Sequence, residues 1–302
     1  MYVCPKCGRP HSTEEFRESR FCRNCGKFLA SSDRYRLDRQ ADSMVDGNEN
    51  SIERAYRMVR QGSLRDTLID SLDVVKKVEE HRQFWKPEKT NVILLAESHV
   101  YTDEKDNATR MNKNILHGVA PGCPLSFVRF VYYLGYGENE LLNQTRTDRR
   151  NTGTYQYWKI FSSCVAENED NLFFQNILKT KTRSFTRRIR NKVHVLRKMR
   201  NAGIWLLDAS IVGLYGSGKK DPDTMKAIIR ICWKNHLRSL VQESSPRHIV
   251  VIGIDVEKSL HSELKGAGFP VTVVRQPQGD RRSSEEQHEK YRICQRICKR
   301  YS

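Results

Sequence analysis

Four short apolar runs constrain this chain more than any other feature. Val92-Ile93-Leu94-Leu95-Ala96, Ile204-Trp205-Leu206-Leu207-Asp208-Ala209, Ile249-Val250-Val251-Ile252-Gly253 and Val271-Thr272-Val273-Val274 are each of strand length and apolar almost throughout. A strand buried on both faces reads as a continuous apolar run, whereas a half-exposed one alternates. The stretches between them carry helical spacing. Ser51–Val78 places Ala55, Met58, Val59, Leu64, Leu68 and Leu72 at apolar positions, and Leu125–Leu134, Met225–Val241 and Val256–Leu264 read as further helices. A last helix opens at Ser283 or Ser284, with Glu286 or Gln287 three residues on as a capping box. Strands alternating with helices predict an α/β three-layer sandwich with a mainly parallel central sheet over residues 51–302. Ligands of such sheets lie just beyond the carboxyl ends of the strands. That rule selects Glu97-Ser98-His99, Asp208-Ala209-Ser210, Gly253-Ile254-Asp255 and Arg275-Gln276-Pro277-Gln278-Gly279.

Charge narrows the partner. The formal charge of the 302 residues is +17, and no apolar run approaches the length of a membrane span. The N-terminus has no basic-then-apolar leader, so the expectation is an intracellular, cytoplasmic protein. Residues 179–200 hold ten Lys/Arg and no acid, and residues 281–302 hold seven bases against three acids. Within the first segment Phe185, Ile189, Val193, Leu196 and Met199 form one apolar helical face, with Arg187, Arg188, Arg190, Lys192, Arg197 and Lys198 around it. A solvated helix back normally interleaves acids at i±4, and this one has none. Phosphate-backbone binding is the expected use, ahead of an amphipathic membrane-surface helix.

The first thirty residues obey a different rule. Cys4-Pro5-Lys6-Cys7-Gly8 and Cys22-Arg23-Asn24-Cys25-Gly26 are two Cys-x-x-Cys pairs separated by 14 residues. Two such turns supply the four thiolates of a tetrahedral, structural Zn2+ site, with all positions closed by sulfur. A segment this short cannot build a core, and metal binding would supply its folding energy. A disulfide pair or a redox motif fits less well, with neither a secretory leader nor a flanking βαβ unit. The pattern resembles zinc ribbons of nucleic-acid proteins. Residues 1–50 carry nine bases and eight acids, so docking a protein partner is as well supported for this ribbon as contacting nucleic acid. The domain expectation is therefore a zinc ribbon over 1–30, a polar linker over 31–50, and the α/β domain over 51–302. The remaining cysteines, Cys123, Cys164, Cys232, Cys294 and Cys298, read as buried thiols, with an iron–sulfur set of Cys123, Cys164, Cys294 and Cys298 as the alternative.

Taken together the four strand ends resemble the uracil-DNA glycosylase superfamily. That family carries an apolar strand running into a Gly-Gln-Asp-Pro-Tyr or Gly-Glu-x-Pro-Gly loop, then a Gly-Val-Leu-Leu-Leu-Asn strand, a Val-Ile-x-x-Gly strand and a His-Pro-Ser-Pro loop. The matching stretches here are Leu94–Tyr101, Gly203–Asp208, Val250–Gly253 and Val274–Gly279, in the same order. The resemblance implies a DNA-binding domain and hydrolysis of an N-glycosidic bond, with the target base flipped out of the stack. In this sequence the family's water-positioning residue falls on Ser98, its base-reading Asn on Asp208 and its loop His on Gln276. Carried over, the resemblance implies Glu97 as the carboxylate facing a cationic sugar and His99 as a replacement proton donor. It also implies Asp208 as base reader, Tyr101 or Phe127 as stacking ring, and Arg281 and Arg282 as phosphate contacts. The departures at Ser98, Asp208 and Gln276 favour a base other than uracil, and they define the alternative, a non-catalytic nucleic-acid-binding protein with a degenerate pocket. A Ser98–His99 nucleophile pair is the third reading, disfavoured because adjacent residues rarely present serine to imidazole.

Overall fold

The computed structural model describes residues 2–3, 10–11, 50–61, 67–103, 106, 108–143, 155–167, 171–216, 221–276 and 284–302. Two compact units divide the chain, residues 1–50 and 51–302. In the first, β1 (Tyr2–Val3) pairs antiparallel with β2 (Pro10–His11). Cys4, Cys7, Cys22 and Cys25 lie outside the described residues, as does the segment expected to be a linker up to Glu49.

The second unit is an α/β domain around a four-stranded, all-parallel sheet made of β3 (Val92–Ala96), β4 (Ile204–Asp208), β5 (His248–Ile252) and β6 (Val271–Val274). The order across the sheet is β4-β3-β5-β6. Every residue of β3, β4 and β5 is buried, the physical reason these strands carry no alternation. Helices α1 (Ser51–Arg60) and α2 (Leu72–Phe84) precede β3. The path from β3 to β4 holds α3 (Lys113–His117), α4 (Tyr155–Cys164) and α5 (Phe185–Asn201). Between β4 and β5 run α6 (Pro222–Cys232), a π turn at Trp233–Leu237, and α7 (Arg238–Ser244). Helix α8 (Ile254–Gly266) links β5 to β6, and α9 (Ser284–Tyr301) ends the chain packed along α4.

Local chemistry sets the boundaries. Ser71, Ser184 and Asp221 cap α2, α5 and α6 by accepting the N–H of Val74, Arg187 and Thr224, and Pro222 sits where its missing N–H costs nothing. Gly203 takes a left-handed φ of 75° between α5 and β4, and a side chain there would meet Asn91 and the Lys89 carbonyl.

Two helix expectations change. Ser51–Val78 is two helices, because the chain between them turns inward to bury Ile69 and Asp70 before Ser71 starts the next helix. Leu125–Leu134 is not helical. Phe127 through Leu134 are all buried, so no face is left for the solvent side of a helix, and the backbone bonds outward instead. Phe127 N–H donates to the Thr109 carbonyl, Arg129 N–H to Thr102 Oγ1, and Val100 N–H to the Arg129 carbonyl. Among the described residues no helix is long and apolar enough to cross a membrane.

Candidate functional site

The chain leaves β3 for β4 on one side, then crosses to β5 on the other. The carboxyl ends of β3 and β5 therefore flank the point where strand order reverses, the usual ligand crevice of an open parallel sheet. Glu97 follows β3 at this point, and Asp255 opens α8 just after β5. Gly253 makes that turn with φ 122°. Tyr215, from the loop after β4, donates its hydroxyl to Glu97 Oε2 at 2.5 Å. Glu97 is 2% exposed, and its Oε1 has no hydrogen-bond partner among the described residues. Burial raises the Glu97 carboxyl above its ordinary value and the nearby Asp255 charge adds to this, while Tyr215 and the Gln276 amide oppose it. The sequence motifs contain Glu97, Asp255 and Gln276, and the structure brings them together. Tyr215 carries no sequence signal, since it lies seven residues beyond Asp208 in a loop without a motif.

Beside this group the other strand-end residues form an internal ion network. His99 is buried, with Nε2 3.2 Å from Asp70 Oδ2 and Nδ1 3.5 Å from Asp208 Oδ2, the second an ionic contact rather than a hydrogen bond. Burial pulls the imidazolium down, but the two carboxylates outweigh it and raise His99 to about 9. Asp70 also accepts the N–H of Thr102 at 2.8 Å and that of Gly213. Burial disfavours its charge, yet these bonds and His99 hold the carboxyl below its usual value. Asp208 accepts Arg82 Nη2 at 3.1 Å, and Arg82 is itself paired with Glu79 and lies over the Phe130 ring at 5.3 Å. Asp208 and His99 are thus committed to protein partners. Neither Asp70 nor Arg82 carries a motif signal, because both arrive from the α2 region by tertiary packing.

The remaining expected residues divide clearly. Ser98 Oγ donates to the His99 carbonyl at 2.9 Å and accepts the Leu214 N–H at 3.1 Å, while the imidazole nitrogens face carboxylates. No Ser98–His99 nucleophile pair exists. Phe127 is fully buried and packs edge-to-face on Tyr133 at 5.3 Å, so its ring belongs to the core and offers no stacking face. Tyr101 is partly buried, its N–H donating to the Tyr215 carbonyl at 2.7 Å. The cleft bounded by Ser98, His99, Arg129, Phe130, Tyr157 and Asp208 has a volume of only 20 Å³. Tyr157 is buried, and its hydroxyl has no hydrogen-bond partner among the described residues. Arg281 and Arg282 lie outside the described residues.

Helix α5 carries its charge on two sides. Arg187 and Arg190 are exposed. Arg188 and Lys192, expected on the phosphate-binding surface, are buried instead. Arg188 Nη2 meets Glu138 Oε2 at 2.8 Å and Lys192 Nζ meets Glu138 Oε1 at 2.9 Å. They sit four residues apart and three after Phe185 and Ile189, so helical periodicity places them on the apolar face. Glu138 and Glu140 supply the compensating acid from a distant segment. The outward face borders an open groove of 590 Å³ formed by Val119, Asn176, Arg190, Asn191, His194 and Arg197. Cys123, Cys164, Cys232, Cys294 and Cys298 are all buried thiols, and no group of three or more His, Cys, Asp or Glu among the described residues is arranged to hold a metal. Compared with known protein families and with curated protein sequences, the chain matches none.

Proposed function

We propose that this chain is a nucleic-acid-binding protein built on a uracil-DNA glycosylase-like domain whose base pocket is filled by its own side chains. One observation carries the reading: the cleft beside Asp208 encloses about 20 Å³, room for about one water molecule and far too little for a nucleotide base. The residues that the resemblance assigns to base reading and proton donation, Asp208 and His99, are held by Arg82 and Asp70. The four-stranded parallel sheet, with Glu97, Asp208, Gly253 and Gln276 just at or beyond its strand ends, supports the scaffold, and the exposed Arg187 and Arg190 support the polyanion partner. A structural zinc ion on Cys4, Cys7, Cys22 and Cys25 belongs to the same proposal and rests on their spacing alone. Metal analysis of the purified chain, with Cys→Ser variants, tests it.

Base excision is the second reading, favoured by Glu97. A carboxyl at the reversal point, positioned by Tyr215 and with one oxygen unpartnered among the described residues, suits a group that faces an oxocarbenium-like sugar or activates water. The deciding experiment incubates the full chain with DNA duplexes and single strands carrying deaminated and alkylated bases. Salt-sensitive binding without released base supports the first reading. Excision that disappears in Glu97→Gln supports the second and overturns the first.

A further inference from the structure

Away from the strand ends, α4, α5 and two connecting segments enclose a cavity of about 410 Å³, within the range of small-ligand sites. Its walls include three aromatic side chains, Tyr136, Tyr155 and Trp158, and two lysines, Lys179 and Lys192. Tyr155 is 52% exposed at the mouth, whereas Tyr136 and Trp158 are buried. Lys192 carries three N–H groups and gives one to Glu138 Oε1 at 2.9 Å, with its ammonium 5.2 Å from the centre of the Trp158 ring. Lys159 adds a further charge, its ammonium 5.8 Å from the Tyr155 ring. Among the described wall residues the one carboxylate, Glu138, already serves both Arg188 and Lys192. The cavity therefore joins flat π-faces to a surplus of positive charge.

The cavity also adjoins the basic groove. Asn176 and Asn191 line the groove, while their chain neighbours Ile177 and Lys192 line the cavity. The two asparagines form the partition, Asn191 Nδ2 donating to the Asn176 carbonyl at 2.9 Å. We propose that this cavity takes one unstacked nucleotide base, stacked on the exposed Tyr155 ring, while its phosphate lies between Lys179 and the groove. The proposal rests on the reading of the chain as a nucleic-acid binder and adds that its preferred partner is single-stranded, because a paired base cannot leave its stack without cost. Aromatic stacking combined with a cationic track is the general chemistry of single-strand recognition.

The test uses the full chain and three probes: AMP, a short single-stranded oligonucleotide containing 2-aminopurine, and the matching duplex. Tyr155→Ala, at an exposed position, should weaken single-strand binding by about 5- to 150-fold and relieve the quenching of 2-aminopurine. Tyr155→Phe should restore both. Arg190→Ala should weaken single strand and duplex alike and leave the quenching of bound strand intact. If Tyr155→Ala changes neither affinity nor quenching while Arg190→Ala lowers affinity, the base site is overturned and the nucleic-acid reading stands. If AMP binds and responds to Tyr155→Ala while no oligonucleotide binds, the site holds a free nucleotide and the nucleic-acid reading fails. If no probe binds, both are overturned.

Discussion

His99 Nε2 lies 3.2 Å from Asp70 Oδ2, and both side chains are sealed from solvent. The two residues come from different parts of the chain, Asp70 just before the Ser71 cap and His99 just after β3. Their meeting turns a strand-end histidine into a fixed cation. A second carboxylate, that of Asp208, closes the other side of the ring.

Stability should fall as pH rises through the histidine's titration. His99 is raised from about 6.5 unfolded to about 9 folded, so its contribution is complete below about 6.5 and is lost as pH climbs through about 9. The loss amounts to a few kcal/mol for a shift of this size in a buried group. Urea midpoints measured from pH 6 to 10 check this. His99→Gln should be less stable at pH 6 and show a flatter profile.

Asp208→Asn keeps the shape of the side chain and removes the charge shared by Arg82 and His99. Breaking a buried ion pair typically costs about 3–5 kcal/mol, and retained hydrogen bonding should place Asn at or below the lower end. The His99 titration should move toward its ordinary value, visible as a shift of the imidazole proton resonance on pH titration. If base reading were the role of Asp208, the variant would change binding preference without this loss of stability.

Glu97→Gln should stabilise the fold at neutral pH by about 0.5–2 kcal/mol. The Glu97 carboxyl is raised, so the folded state favours the proton, and stability declines as pH rises above the ordinary carboxyl range. Glutamine removes that dependence. Thermal midpoints at pH 5 and pH 7 make the comparison, and the gain should be larger at pH 7.

The two sides of α5 should separate by mutation. Arg188→Ala or Lys192→Ala strips a cation from buried Glu138 and should cost about 3–5 kcal/mol. Arg187→Ala and Arg190→Ala should leave stability within about 0.5 kcal/mol. Each should instead lower the slope of log affinity against log salt for oligonucleotides by about 1. Denaturation curves and binding isotherms at several salt concentrations read the two effects independently.

The sheet was legible because burial on both faces removes every polar residue from β3 and all but His248 from β5, leaving a signal that needs no periodicity. The same property misled at Leu125–Leu134, where total burial belongs to an irregular segment bonded to its neighbours. The apolar stripe on α5 follows from its spacing, but Arg188 and Lys192 fall within it, and the acids at Glu138 and Glu140 explain why they turn inward. The strand-end rule located Glu97, Asp255 and Gln276. It could not supply Asp70, Arg82 or Tyr215, which reach the site by packing and not by position in a motif. Their carboxylate, guanidinium and phenol decide what the motif residues are free to do.

The strand order has a consequence for how the protein comes into being. β3 is made first among the four parallel strands, yet both of its neighbours lie more than a hundred residues further along the chain. No pair in this sheet can close until β4 has left the ribosome, and β3 gains its second partner only when β5 follows. Until then Val92–Ala96 is a bare apolar segment in an unfinished chain. Non-local pairing of this kind slows folding and prolongs exposure to association. A truncation before residue 204 should therefore leave an aggregating fragment in place of a smaller folded one, as solubility and circular dichroism of the expressed fragment would show.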